Sequence, residues 1–316
     1  MNIVLLIGGL LLLVGGGELL VRGAAGLALK AKIPPIIVGL TVVSIGTSAP
    51  ELFASLNAAA SGADGIAIGN VVGSNIANLG MVLAITALIF PIPVEKSLLK
   101  LDWPVMMGAS LLFLLFIQDL QLVWWEGLIF VLALLLYILR LIYITRRNKK
   151  MQAELASDDD EYEEFQSKPY WLLVVLIIVG CVLLYFGAEW FVEGASAIAK
   201  SLGVSDTVIG LTVVAFGTSV PELVASAMAA LKKETDIGLG NLVGSNIFNI
   251  LAVLGITSIV SPLSVAPSVT QTEIWWMLAI SFVIMPFVLI GKNKIGRVKG
   301  LILLATYVTY IFMVLQ

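Results

Sequence analysis

The 316-residue chain predicts an all-α integral membrane protein of ten transmembrane helices, arranged as two inverted five-helix repeats. Three observations carry this. Hydrophobic residues make up 59% of the chain and charged residues 12%, about half the charge share of a soluble domain. Apolar runs long enough to cross a ~30 Å hydrocarbon layer recur along almost the whole length. The chain also matches itself at a constant offset of 171 residues, with an odd number of spans between the copies.

The apolar runs fall at 2–29, 36–61, 65–90, 98–117, 122–145, 170–199, 207–231, 236–260, 272–290 and 297–315. Met1 to Val21 lacks a basic leading region and reads as a first helix rather than a cleaved signal. A charged stretch then divides the chain. It opens on Arg146, Arg147, Lys149 and Lys150 and turns acidic from Glu154 to Glu164. The expected organisation is a first half at 1–145, a linker at 146–169 and a second half at 170–316. The acidic run lacks the glycine and ligand spacing of a calcium loop and reads as a solvated connection.

Orientation follows from Lys and Arg. With the N-terminus outside, 17 of the 18 basic residues fall at cytoplasmic loops and their flanks, and only Lys200 does not. Both termini are therefore expected to be extracytoplasmic, in a cell membrane, with the 146–169 loop cytoplasmic. Trp103, Trp124, Trp125, Trp171, Trp275 and Trp276 cluster near span ends, as interfacial aromatics do.

Glu18–Leu79 aligns on Glu189–Ile250 without a gap, with 29 identities in 62 positions. The repeated segments are about 36–90 and 207–260. Five spans separate each position from its copy, so the copies cross the membrane in opposite directions. Many secondary transporters share that plan and place their sites at the midplane between the halves. A channel can carry it too.

Gly46-Thr47-Ser48-Ala49-Pro50-Glu51 sits mid-span, and Gly217-Thr218-Ser219-Val220-Pro221-Glu222 is its copy. Pro50 has no amide hydrogen and crowds the Gly46 carbonyl, so the helix should break there and free carbonyl oxygens near Gly46 and Thr47. Freed carbonyls cannot face lipid. Glu51 and Glu222 lie deep in these spans, where a lone carboxylate costs at least ~2–3 kcal/mol. Two of them at one site repel unless a cation bridges them or one carries a proton.

Helical spacing lines up Ser44, Thr47 or Ser48, Glu51 and Ser55, and in the copy Thr212, Ser219, Glu222 and Ser226. The next span of each half adds Asn70, Ser74, Asn78 and Asn241, Ser245, Asn249 at i, i+4, i+8. Hydroxyls in membrane helices also bond the carbonyl one turn back, and Asn70 and Asn241 also suit a purely helix-tying role. The inventory is carboxylate, hydroxyl, amide and backbone carbonyl. These are oxygen donors for hard cations, and calcium takes about 6–8 of them. Glu18 and Arg22, at i, i+4, read as an ion pair, and their counterparts Glu189 and Glu193 as an exposed acidic lip.

Histidine is absent, which removes the commonest ligand of zinc and copper. Cys181, the only cysteine, lies in an apolar span and reads as packing. With no nucleophile beside a base and no phosphate-binding loop, an enzyme is not expected. No cofactor and no nucleic-acid partner are expected either. The partners are the lipid bilayer and transported cations, and a monomer suffices.

The two GTS-x-PEL and GN-x-VGSNI-x-N copies resemble the alpha repeats of the sodium/calcium exchangers, in the cation/calcium antiporter superfamily. The resemblance implies that Glu51 and Glu222 coordinate calcium and sodium. It implies that Thr47, Ser48, Thr218 and Ser219 supply carbonyl or hydroxyl oxygens, and that Ser74 and Ser245 match flanking sodium ligands. Asn78 and Asn249 match positions lining the central site, and Ser44 and Ala215 match residues offering backbone carbonyls. It also implies that the first and sixth spans slide across the core to expose the site alternately.

Some relatives, including the potassium-dependent branch, carry Asp at the position of Asn249, so a potassium requirement is not expected. The proton/calcium branch usually has Asn where Thr47 and Thr218 stand, so the motif points to sodium. The expected function is sodium/calcium antiport with both ions as substrates. Proton/calcium antiport and a passive cation channel are the alternatives.

Overall fold

The computed structural model describes residues 2–147, 168–203, 215–290 and 293–314. Among the described residues the secondary structure is helical apart from four two-residue strands. Among the described residues, eight helices are long and apolar enough to cross a membrane, or nine if one bent pair is a single span. It is a multi-pass membrane protein. The helices are α1 (Asn2–Ala31), the bent pair α2 (Pro35–Thr47) and α3 (Ala49–Ala60), α4 (Asp64–Ile89), α5 (Ser97–Asp119) and α6 (Trp124–Arg146). After the linker come α7 (Tyr170–Ser201), the shorter α8 (Val220–Leu231), α9 (Thr235–Val260), α10 (Val269–Ile290) and α11 (Arg297–Val314).

Nine of the ten expected spans match these helices to within a few residues. The expected span 207–231 is described only from Ala215 onward, as Ala215–Gly217 and α8. Its first part, with Thr212, lies outside the described residues, as do linker positions 148–167 and Lys292.

Hydropathy alone treats the spans alike, but burial separates them. In α4 and α9 78% of the central stretch is buried, against 17–39% in the other long helices. These two helices carry the GN-x-VGSNI-x-N segments and form the centre of the bundle. Their lipid-facing neighbours remain broadly exposed, as in α6, where Leu132, Leu136 and Leu139 face outward. Two short antiparallel pairings tie the halves at loop level: Ile92–Pro93 with Lys294–Ile295, and Gln121–Leu122 with Leu263–Ser264.

α1 and α7 cross in close contact, and glycine makes that possible. A Cβ added at Gly9 would fall 2.8 Å from the Gly187 carbonyl oxygen, and one at Gly16 2.8 Å from the Gly180 carbonyl oxygen. Further along, Gly23 meets Leu173 and Ile177, and Gly194 meets Asn2 and Leu6. Numbers rise along one helix as they fall along the other, so the pair is antiparallel. Gly180 is the copy of Gly9 and Gly187 the copy of Gly16, so the offset exchanges the two helices' contacts.

The expected break is present. α2 and α3 meet at 41°. The hinge is Ser48, at φ −88° and ψ 2°, and its copy Ser219 stands at φ −89° and ψ 1°. Pro50 and Pro221 lie in the first turn of the following helix, where a missing N–H costs nothing. The same missing N–H leaves the Gly46 and Gly217 carbonyls without an i+4 donor.

Among the described residues, four π-helical turns go beyond the sequence pattern: Gly39–Val43, Asn78–Val82, Asn249–Leu254 and Val269–Glu273. Two of them start at the paired Asn78 and Asn249. Such turns are rare and gather at functional sites.

Trp103 is half-buried and donates its Nε1–H to the Ser281 carbonyl (2.9 Å), so it ties α5 to α10.

Candidate ion-binding site

The broken helices and the two central helices meet, and the meeting point is polar. Glu51 and Glu222 are both fully buried. Each stands in the first turn after its hinge, where exposed backbone N–H groups favour an anion. Around them Ser44, Ser48, Ser55, Ser219, Ser226, Asn241, Ser245 and Asn249 are 0–2% exposed, as are Thr47 and Asn78. Buried polar atoms in folded proteins almost always have partners. Here a cluster does not: both Glu51 carboxylate oxygens, Glu222 Oε2, Ser219 Oγ, both side-chain polar atoms of Asn78, and Asn249 Oδ1.

Several of the partners that do exist run between the halves. Ser48 Oγ donates to Glu222 Oε1 at 3.4 Å. Thr47 Oγ1 lies 3.4 Å from Ser245 Oγ, and their copies Thr218 Oγ1 and Ser74 Oγ are 3.5 Å apart. Thr47 also donates to Asn241 Oδ1 at 3.0 Å. The Ser74 hydroxyl approaches Glu51 without reaching hydrogen-bond geometry. Glu222 thus has hydroxyls of the opposite half beside it, Glu51 has Ser74 of its own half, and the two carboxylates sense each other's charge.

Asn70 and Asn241 brace the break. Asn70 Nδ2 donates to Ser55 Oγ (3.0 Å) and to the Glu51 carbonyl (3.2 Å), while Asn241 Nδ2 donates to Ser226 Oγ (3.3 Å). The Ser44 hydroxyl is committed to the Gly39 and Asn241 carbonyls (2.6 and 3.1 Å). Its own carbonyl accepts the Ser48 N–H (2.9 Å). Ala215 opens the short turn Ala215–Gly217 that leads to the second hinge. Ser55 and Ser226 hold helix carbonyls, those of Ala67 and Gly238 (both 3.4 Å).

Two residues outside the expected ligand set also belong here. Asn75 and Asn246, copies of each other, are each 1% exposed at the α4–α9 contact. Their signal was in the sequence: an amide kept at the same place in both repeats within an apolar span.

Access to the cluster is one-sided. A cavity of about 470 Å³ reaches Pro50, Gly217, Thr218 and Pro221, and its wall includes Phe53, Asn57, Ala188, Glu189 and Glu193. The repeat counterparts of Ala188, Phe53 and Asn57 are Gly17, Val224 and Met228. Those three are packed together, with the Gly17 Cβ position 2.9 Å from Val224 Cγ1 and 3.0 Å from Met228 Cγ. The surfaces that touch on one side of the α1–α7 crossing are parted on the other. On the closed side Glu18 holds Arg22 of its own helix and, at 2.8 Å, Lys232 just after α8. On the open side Glu189 and Glu193 are exposed.

Among the described residues, no group of three or more His, Cys, Asp or Glu side chains converges. The cluster is built from two carboxylates and neutral oxygen donors, which suits sodium and calcium better than a transition metal.

Comparison with known proteins agrees with this chemistry. Residues 1–143 and 172–316 match the sodium/calcium exchanger protein family. The sodium/calcium exchanger MaX1 of Methanosarcina acetivorans is 34% identical over 98% of this chain and 97% of its own. The inner membrane protein YrbG of Escherichia coli is 32% identical over 98% of this chain and 95% of its own. A solved structure of the sodium–calcium exchanger NCX_Mj, soaked with sodium and strontium, superposes with a TM-score of 0.81 at 33% identity, covering 98% of this chain and 97% of that one. The chain belongs to the sodium/calcium exchanger family, within the cation/calcium antiporter superfamily.

Proposed function

We propose that this protein exchanges sodium for calcium by alternating access to one midplane cluster of oxygen ligands. The observation that carries the reading is the pair of fully buried glutamates, Glu51 and Glu222, three of whose carboxylate oxygens make no hydrogen bond within the protein. A buried anion without a partner is costly, and a cation relieves both carboxylates at once. Family membership and the similarity to the sodium/calcium exchanger MaX1 support the choice of ions.

The proposed ligands are Glu51, Glu222, Thr47, Thr218, Ser48, Ser219, Ser74, Ser245, Asn78 and Asn249, with backbone oxygens of Ser44 and Ala215. Ser44 is proposed through its carbonyl, and its hydroxyl donates to the Gly39 and Asn241 carbonyls. Sodium and calcium are substrates, and no resident cofactor or catalytic residue is invoked. An emptied site leaves two carboxylates facing each other, so movement without cargo is penalised, which enforces exchange over leak.

The architecture that fits is ten spans in two inverted halves, 1–145 and 170–316, joined by a cytoplasmic linker at 146–169, with both termini outside. The contacts interchanged by the 171-residue offset and the basic-residue asymmetry support it.

The test is calcium-45 uptake into proteoliposomes loaded with sodium, potassium or choline, with and without a pH gradient. Uptake that needs internal sodium is expected. Uptake driven equally by protons without sodium would move the chain to proton coupling.

A further inference from the structure

Asn249 offers the site an amide, and an amide has two unlike ends. Its oxygen attracts a cation, while its NH2 repels one. Some device must decide which end faces the ions. We infer that Asn75, from the other half of the molecule, is the positioning residue that does so. The inference rests on the reading of Asn249 as an ion ligand.

The orientation follows from donor and acceptor chemistry alone. One terminal atom of Asn75 lies 3.3 Å from the backbone carbonyl oxygen of Asn246. A carbonyl only accepts, so that atom is Nδ2, which also reaches Met277 Sδ at 3.7 Å. The other terminal atom of Asn75 is then its oxygen, and it lies 3.1 Å from the Asn249 amide. An oxygen there only accepts, so Asn249 must present Nδ2. What remains of Asn249 is Oδ1, fully buried and without a partner. A fixed backbone carbonyl of α9 thus sets Asn75 on α4, and Asn75 sets Asn249 back on α9.

The mirrored relay is not made. Asn246, the copy of Asn75, spends its Nδ2 on the Leu242 carbonyl of its own helix (2.7 Å) and leaves Oδ1 free. Asn78, the copy of Asn249, has neither side-chain atom bonded. The site therefore holds one amide clamped oxygen-inward and one free to turn. Outer-shell partners that orient a ligand are typically worth about 10–100-fold in metal affinity.

The test is a double-mutant cycle read as equilibrium calcium-45 binding to purified protein, with the KM and maximal rate of sodium-driven uptake alongside. Asn75→Leu should weaken calcium binding about tenfold or more. Asn249→Asp replaces the amide by a carboxylate with two equal oxygens, so orientation ceases to matter. In that background Asn75→Leu should have little further effect. A packing role for Asn75 would weaken binding alike in both backgrounds, and that result, or unchanged binding in Asn75→Leu, overturns the inference. Asn249→Leu separates the two layers. If it leaves calcium binding intact, Asn249 is no ligand and the inference falls with that reading. If it weakens binding while Asn75→Leu does not, the positioning role alone is refuted. Should Asn75→Leu not fold, Asn75→Ala takes its place in the cycle.

Discussion

The ion pair between Glu18 and Lys232 joins α1 to the end of α8 on the closed side of the crossing, so opening that side must break it. The two side chains are 26% and 22% exposed and 2.8 Å apart. Exposed pairs are worth about 0.2–1 kcal/mol, and this one, partly shielded, belongs near 1 kcal/mol. That energy corresponds to about a fivefold change in the ratio of closed to open. Lys232→Ser should therefore raise the population open at the Glu18 side about fivefold. The readout must follow the minor state, because a well-populated state hardly changes when a rare one grows. Met228 packs against Gly17 and is half-buried there, so its labelling in excess of the closed-state rate follows the open fraction. A Met228→Cys reporter in a Cys181→Ala background, labelled with a polar maleimide, should react about fivefold faster once Lys232 is Ser. Glu18→Gln should act in the same direction, and high salt should shrink the difference. Unchanged labelling in both variants would show that the pair holds nothing shut.

Glu51→Gln and Glu222→Gln keep shape but remove charge; each should abolish sodium-dependent calcium uptake while leaving the purified protein monodisperse on size-exclusion chromatography. Gly16→Ala places a Cβ 2.8 Å from the Gly180 carbonyl oxygen, whereas Gly15→Ala meets nothing within 4 Å. The first should lower thermal stability, with overpacking of this kind costing about 1–3 kcal/mol, and the second should leave the melting curve nearly unchanged. Asn70→Leu removes the brace on the Glu51 carbonyl and Ser55. A loss of about 1 kcal/mol per lost bond is expected, read as a lower melting temperature together with weaker calcium binding.

Much of this was legible in the residues, for identifiable reasons. Span positions follow from hydropathy because lipid demands long apolar runs. The break at Ser48 follows from Pro50, since a missing N–H has a local consequence. The Glu18–Arg22 pair follows from helical spacing, although Lys232, 214 residues beyond Glu18, does not. The i, i+4, i+8 pattern picked out Asn70, Ser74 and Asn78 and passed over Asn75, one residue off that stripe. The roles of Asn75 and Asn246 depend on what crosses from the opposite helix, which spacing within one helix cannot express. The π turns at Asn78 and Asn249 shift the face of the helix just where the pattern was being extended. Ser44 stands in the expected stripe, and its hydroxyl also ties the Gly39 and Asn241 carbonyls, the second of them across the halves, which spacing within one helix does not reveal. Which side is open was out of reach, because the motif halves are nearly identical.

The lips, unlike the motifs, are not identical, and the difference gives the open side a physical cause. The closed side brings together Glu18, Arg22 and Lys232, one anion with two cations. The counterparts on the open side are Glu189, Glu193 and Ser61, two anions with no cation. Closing the open side in the same manner would set two carboxylates against a hydroxyl, so nothing equivalent to the Lys232 pair would form. Ser61→Lys supplies the missing cation. By the energy used for Lys232, it should favour closure at the Glu189 side about fivefold. The same change opens the Glu18 side, so the Met228→Cys reporter should label about fivefold faster. Ser61 and Lys232 lie on opposite sides of the crossing, and effects of well-separated sites add. The double variant Ser61→Lys, Lys232→Ser should therefore label about 25-fold faster than the parent. A double variant no faster than either single one would mean that the lips do not set the balance, and that the core helices alone decide which side is open.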